Sequence, residues 1–155
     1  MLPRLFLPLL GLMLLSGCME KQKKDELQAR PLYDRLGGEK GITAVVDDLV
    51  ANVVADPNIR EKHKRHFRGE VTELKKKLVD QIGQATGGPQ IYKGKRMEDA
   101  HMGQGITDKD FDALVSDLVK ALDSNHVGET EKGELLAMLG KMRPDVVEKQ
   151  KTPRN

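Results

Sequence analysis

The chain has 155 residues, with 26 lysines and arginines against 24 aspartates and glutamates and a formal net charge of +2. Charge so nearly balanced gives no sign of a polyanion-binding surface, so no nucleic acid is expected among its partners. A single cysteine excludes an internal disulfide, and with 3% aromatic residues a domain of this size is short of large core side chains unless a bulky apolar cofactor supplies them.

Arg4 precedes an apolar run from Leu5 to Leu15, too short to span a bilayer but long enough for the core of a signal peptide. The run closes on Leu15-Ser16-Gly17-Cys18, which resembles a bacterial lipobox and implies cleavage before Cys18 with lipid added to its thiol. The bland alternative is an uncleaved anchor helix or a plain secretory signal. Met19 follows the cysteine, with no aspartate there. By resemblance to Gram-negative sorting rules, that implies an anchor at the cell envelope, on the periplasmic face of the outer membrane. Glu20 to Arg30 is charged and carries no apolar stripe, so it reads as a tether.

Beyond the tether, apolar residues recur at helical spacing. Ile42, Val45, Val46, Leu49, Val50, Val53 and Val54 predict a helix from about Glu39 to Ala55. Asp56-Pro57 reads as an N-cap with proline in the first turn of a short next helix. Val71, Leu74, Leu78, Ile82 and Ala85 stripe another helix, stopped by Gly87-Gly88-Pro89. Thr107 with Asp110 resembles a capping box opening a helix that carries Phe111, Leu114, Val115, Leu118, Val119 and Leu122. A last helix bears Leu135, Met138, Leu139 and Met142, and Pro144 is expected to bend or end it. From Glu148 onward the chain is a polar tail. Nothing alternates with period two, so the fold class is all-α. A plain four-helix bundle and a globin-like sandwich both fit this pattern.

The stretch from Tyr92 to Thr107 holds a helix of barely two turns between glycines, too short to be stable alone. Met97 and His101 lie four apart, on one face of it. A soft apolar side chain beside an imidazole suits the floor of a flat apolar cofactor with a metal at its centre, although a lone histidine is more often a satisfied surface or core residue.

Tyr92, Gly94, Met97, His101, Gly103, Gly105, Ile106 and Thr107 together resemble the segment around the iron-binding histidine of group 1 truncated haemoglobins. Tyr33-Asp-Arg-Leu-Gly37-Gly38 and Gly87-Gly88-Pro89 resemble the two Gly-Gly turns of that family, and the likeness runs from Leu32 to Arg143. It implies a truncated globin, a two-on-two helical sandwich around one haem b. The chain then divides into a signal peptide (1–17), a lipidated cysteine and tether (18–30), a globin domain (31–147) and a tail (148–155). His101 is implied as the metal ligand, its other ring nitrogen held by a carbonyl of the preceding turn. Phe67 and Met97 match haem-packing positions, with ordinary core packing as the alternative for each, and Tyr92 either lines the haem edge or seals a loop. Lys95 and Arg96 are propionate candidates for which a solvated face is the plainer reading.

On the distal side the chain departs from its relatives. Where the family commonly places tyrosine and glutamine donors, the aligned residues are Val50, Leu74 and Leu78, and Ile82 stands at the position of a gating aromatic. Lys77 flanks this stripe as a propionate partner, a solvated side chain or a sixth iron ligand, the last requiring loss of its proton. His63 and His66 fall near the haem edge, where either could be a ligand, but their charged run reads more plainly as surface, and His126 is given no role.

The resemblance thus implies reversible binding of a diatomic gas (O2, NO or CO), of the oxygen-binding and oxygen-transport type, at iron held by His101, with membrane contact through the lipid alone. A six-coordinate electron-transfer or redox/NO-sensing protein, with a redox partner, is the alternative that depends on Lys77 or on one of the loop histidines, His63 or His66. Nitric oxide dioxygenase is the enzymatic reading. It needs retained oxygen and a reductase, and the missing donors count against it, so a non-enzymatic role is expected. A haem-free helical lipoprotein adaptor with a structural His101 is the third.

Overall fold

The computed structural model describes residues 14–69 and 71–148. Chain contacts divide it into two units, Met1–Arg30 and Pro31–Asn155. In the first, α1 spans Leu14–Gln28. The charged segment expected as a tether is therefore helical, because lysine, glutamate, glutamine and leucine favour helix even without an apolar face to bury. Residues 21–27 are all exposed. The start of the apolar run and the Cys18 side chain lie outside the described residues, and so does the lipobox reading with them.

The second unit contains α2 (Leu32–Arg35), α3 (Gly38–Ala55), α4 (Glu61–Lys64), a 3-10 turn (Arg65–Phe67), α5 (Val71–Ala85), α6 (Met97–His101), α7 (Asp108–Ser124) and α8 (Glu129–Val146). No strand occurs among the described residues. Helix α3 packs on both α5 and α7, α7 packs on α8, and the short α6 rests against α8. This is the expected two-on-two sandwich.

Helix α3 is rich in β-branched residues of middling helix propensity, and burial outweighs that preference. Ile42, Val45, Val46, Leu49, Val50 and Val53 are buried at three- and four-residue steps. Its entry turn requires glycine: Gly37 and Gly38 have φ of 85° and 64°, a left-handed conformation that other residues rarely adopt. Gly41 is needed for another reason, since a Cβ there would lie 2.0 Å from the Leu36 carbonyl oxygen. At the far end, Asp56 is the C-cap of α3 and not the N-cap of the next helix. Its carboxylate accepts from the Asn58 backbone N–H at 2.8 Å and from Asn58 Nδ2 at 2.9 Å, closing an Asx turn, and the next helix starts after Arg60.

The other boundaries follow the sequence more closely. Helix α5 ends at Ala85, and Gly87 turns the chain at φ 89°. Thr107 and Asp110 form the reciprocal capping box of α7. Helix α8 continues past Pro144 to Val146. The proline sits in the last turn, where it deprives the exposed Gly140 carbonyl of its intrahelical donor, and water can replace that bond.

The most deeply buried side chains, Phe111, Ile42, Leu122, Val46, Val53 and Asp117, all belong to α3 and α7. The core is therefore the crossing of these two helices. Leu122 is 0% exposed, and Leu122→Ala is expected to lower unfolding free energy by about 2–5 kcal/mol in a urea titration. A loss under about 1 kcal/mol would displace the core from this crossing.

Candidate functional site

Helix α6 has five residues and no side-chain N-cap; Arg96 pairs with Asp99 at 2.9 Å over its first turn. Held in that turn, His101 Nδ1 lies 2.7 Å from the Met97 carbonyl oxygen. A carbonyl can only accept, so Nδ1 carries the proton and the lone pair belongs to Nε2. The backbone carbonyl one turn back is the orienting partner expected from sequence. The ring is half-buried.

Met97, one turn before His101, is half-buried, and its Sδ accepts from Gln81 Nε2 at 3.2 Å. The same amide nitrogen lies 3.7 Å from Met142 Sδ, so α5, α6 and α8 meet at this point. Gln81 escaped the sequence reading, although it stands on the α5 line of Leu74 and Leu78, where a polar residue among apolar ones is a signal. Leu74, Leu78 and Ile82 are half-buried, and Val50 is buried in α3. Phe67 ends the 3-10 turn half-buried against the core.

Tyr92 seals its own loop. Its hydroxyl donates to the Lys95 carbonyl at 2.9 Å, its backbone N–H donates to Gln84 Oε1 at 2.6 Å, and its ring lies over Gly94, where a Cβ would come within 2.2 Å of it. Lys95 and Arg96 are exposed. Three lysines run along α5. Lys75 pairs with Asp47 at 2.7 Å and Lys76 with Asp80 at 2.6 Å, whereas Lys77 is exposed without an ion pair among the described residues. His66 and His126 are exposed, and His126 sits in a loop at φ 54°.

His63 is not the surface residue that its charged run suggests. It is buried, with Nε2 3.2 Å from the Gln104 carbonyl oxygen and Nδ1 3.5 Å from Asp110 Oδ1. Asp110 also takes Arg60 Nε at 3.0 Å and the Thr107 N–H at 2.9 Å. Burial would raise the Asp110 carboxyl, but hydrogen bonds from Arg60 and Thr107 outweigh it and hold the group well below the usual carboxylate range. The unfolded chain, with an ordinary aspartate near pKa about 3.9, therefore binds this proton first on acidification. The stabilisation is complete above that value and is lost as pH falls through the folded one. Thermal melting of the wild type is expected to drop more steeply below about pH 4 than that of Asp110→Asn, and parallel acid profiles would refute the assignment.

A flat apolar macrocycle with one imidazole ligand fits these residues. His101 offers a nitrogen whose tautomer is fixed. Half-buried apolar side chains on α5, the Phe67 turn, α7 and α8, Leu114, Leu139 and Met142 among them, would be available to wall such a group.

Comparison with known proteins agrees. The bacterial-like globin family model matches residues 31–148. The group 1 truncated haemoglobin of Mycolicibacterium paratuberculosis is 32% identical over 116 residues, 74% of this chain and 82% of the relative. That of Tetrahymena pyriformis is 30% identical over 119 residues, covering 76% and 95%. The crystal structure of the Tetrahymena pyriformis protein in its Fe(III) form superposes with a TM-score of 0.70 at 29% identity, over 77% of this chain and 100% of that one. The 2/2 haemoglobin of Synechococcus follows at 0.69 and 28%, with the same coverage. From Pro31 to Glu148, then, the chain belongs to the bacterial-like globins and, within them, to the group 1 truncated haemoglobins.

Proposed function

We propose that this haem globin binds its diatomic gas at an iron held by His101 Nε2, under a distal wall of Val50, Leu74 and Leu78 that supplies no hydrogen bond, so that nitric oxide or carbon monoxide is favoured over retained oxygen. The hydrogen-bond distance of 2.7 Å between His101 Nδ1 and the Met97 carbonyl supports this reading, because it orients the ring and leaves the Nε2 lone pair available to a ligand. Haem b, the cofactor of this family, would be held through His101 and would supply an iron able to bind a diatomic gas. The chain's own part is to orient the imidazole, exclude water with apolar side chains and withhold a distal donor. Absorption spectra of the haem-reconstituted full chain test the reading. Five-coordinate ferrous iron, unchanged in Lys77→Ala, is expected; absence of any Soret band would refute it in favour of a haem-free adaptor.

A second reading rests on Lys77, the exposed lysine beside Leu74 and Leu78 that has no ion pair among the described residues. Six-coordinate ferrous iron that becomes five-coordinate in Lys77→Ala would make this an electron-transfer or redox-sensing globin with a redox partner. We also propose that Cys18 carries a lipid that holds the globin at the envelope, facing the periplasm. Among the described residues no helix is long and apolar enough to cross a membrane. Incorporation of labelled fatty acid that persists in Cys18→Ser would overturn the anchor.

A further inference from the structure

The loop that follows His101 is poorly equipped to hold its own position. Gly103 and Gly105 both have positive φ, 75° and 63°, and nothing lies within 4 Å of where a Gly103 Cβ would stand. The helix before it has five residues, and water competes readily for so short a helix. Yet three donors from the α4 segment converge on this loop. Arg60 Nη2 donates to the Gly105 carbonyl, Lys62 Nζ to the Gln104 carbonyl at 2.9 Å, and His63 Nε2 to that same carbonyl at 3.2 Å. Gln104 in turn donates from Nε2 to the Ala100 carbonyl at 2.8 Å, next to His101.

We propose that Arg60, His63 and Asp110 are a positioning clamp for the proximal histidine. Asp110 is its fixed point: rooted in the first turn of α7 by the capping box, its buried carboxylate faces both Arg60 and His63. The clamp thereby ties α7 to the α4 segment, and the α4 segment to the loop that closes α6. If the loop swings, the last turn of α6 frays, and the Met97 carbonyl that fixes the His101 ring goes with it. Four residues beyond His63 in the chain, Phe67 ends the 3-10 turn against the core. One set of hydrogen bonds therefore holds the proximal ligand in register with that wall of the chamber. Arg60, His63 and Asp110 touch neither iron nor gas; they act through His101.

The clamp rests on the haem reading above, and the experiment separates the two. The full chain is compared with His63→Phe, Arg60→Gln, His63→Gln and, as a control, His66→Phe. In the haem-free proteins, amide hydrogen exchange over residues 100–106 is expected to quicken about tenfold in His63→Phe and Arg60→Gln and to return towards wild type in His63→Gln, whose amide can still donate. In the haem-reconstituted ferrous proteins, the iron–histidine stretching band is expected to shift and haem transfer to an acceptor apoglobin to speed up about tenfold, at the lower end of outer-shell effects. His66→Phe should match wild type throughout. Lower melting temperatures with unchanged exchange over 100–106, an unmoved band and an unchanged transfer rate would overturn the clamp, leaving these residues a merely structural role. Should His63→Phe fail to fold, Arg60→Gln, whose side chain is 44% exposed, decides alone. A wild type that shows no haem spectrum would defeat the haem reading, while exchange in the haem-free chain would still judge the clamp.

Discussion

Replacing His101 by glycine is expected to abolish the imidazole-ligated spectrum of the reconstituted chain, and free imidazole at millimolar concentration to restore it. The size of the effect follows from what the ring does. Partners that merely orient an iron ligand are worth roughly 10–100-fold in metal affinity, so removing the ligand itself should cost at least that much. Glycine also removes the group that meets the Met97 carbonyl, and added imidazole would regain the ligand without that constraint. Rescue should therefore be incomplete, with faster haem loss than wild type. An unchanged spectrum in His101→Gly would remove the site from α6 altogether. Retention of haem with an altered, imidazole-insensitive spectrum would mean that another side chain had replaced the histidine.

The second large effect is expected on the distal side. Leu74→Gln introduces a donor where the chain has none, at a half-buried position on α5 and with little change in volume. Oxygen bound by a globin carries partial negative charge, and a hydrogen bond to such a group is worth about 1.5–3 kcal/mol. Oxygen release, followed by stopped-flow mixing or flash photolysis, should therefore slow by roughly ten- to a hundredfold. Carbon monoxide release should change little, because that ligand gathers less charge. Equal slowing for both gases would point to steric closure of the pocket and would sink the hydrogen-bond argument.

How much of this molecule could be read beforehand depends on the length of its elements. Helices α3, α5 and α7 are each four turns or more, and their buried residues repeat often enough to expose the 3.6-residue period. Helices α2 and α4 have four residues each, which cannot display any period. Helix α1 was hidden differently, since it has favourable residues but no stripe, and the stripe is what marks a helix in sequence. Asp56 misled because an Asx turn and an N-cap ask the same of a carboxylate, to accept from a nearby backbone N–H. At the proposed site, the pairing of His101 with Met97 was legible because both lie on one short helix. The Arg60–His63–Asp110 contacts were not, because they join residues distant in sequence and because a run of lysines, arginines and histidines ordinarily reads as solvated surface.

The concentration of fully buried side chains at the crossing of α3 and α7 bears on the history of such a protein. Leu74, Leu78, Gln81 and Met97 stand outside that crossing and are only half-buried, so exchanging them disturbs little of what keeps the chain folded. On α5 and α6, the residues that the proposed reading gives to ligand preference are then distinct from those that hold the fold, while Val50, buried in α3, belongs to both. A lineage can lose or regain a glutamine donor at Leu74 or Leu78 on those terms, whereas the tyrosine position, Val50, is buried in α3 and a larger side chain there would have to be accommodated by the core. The scaffold leaves selection free to retune the ligand.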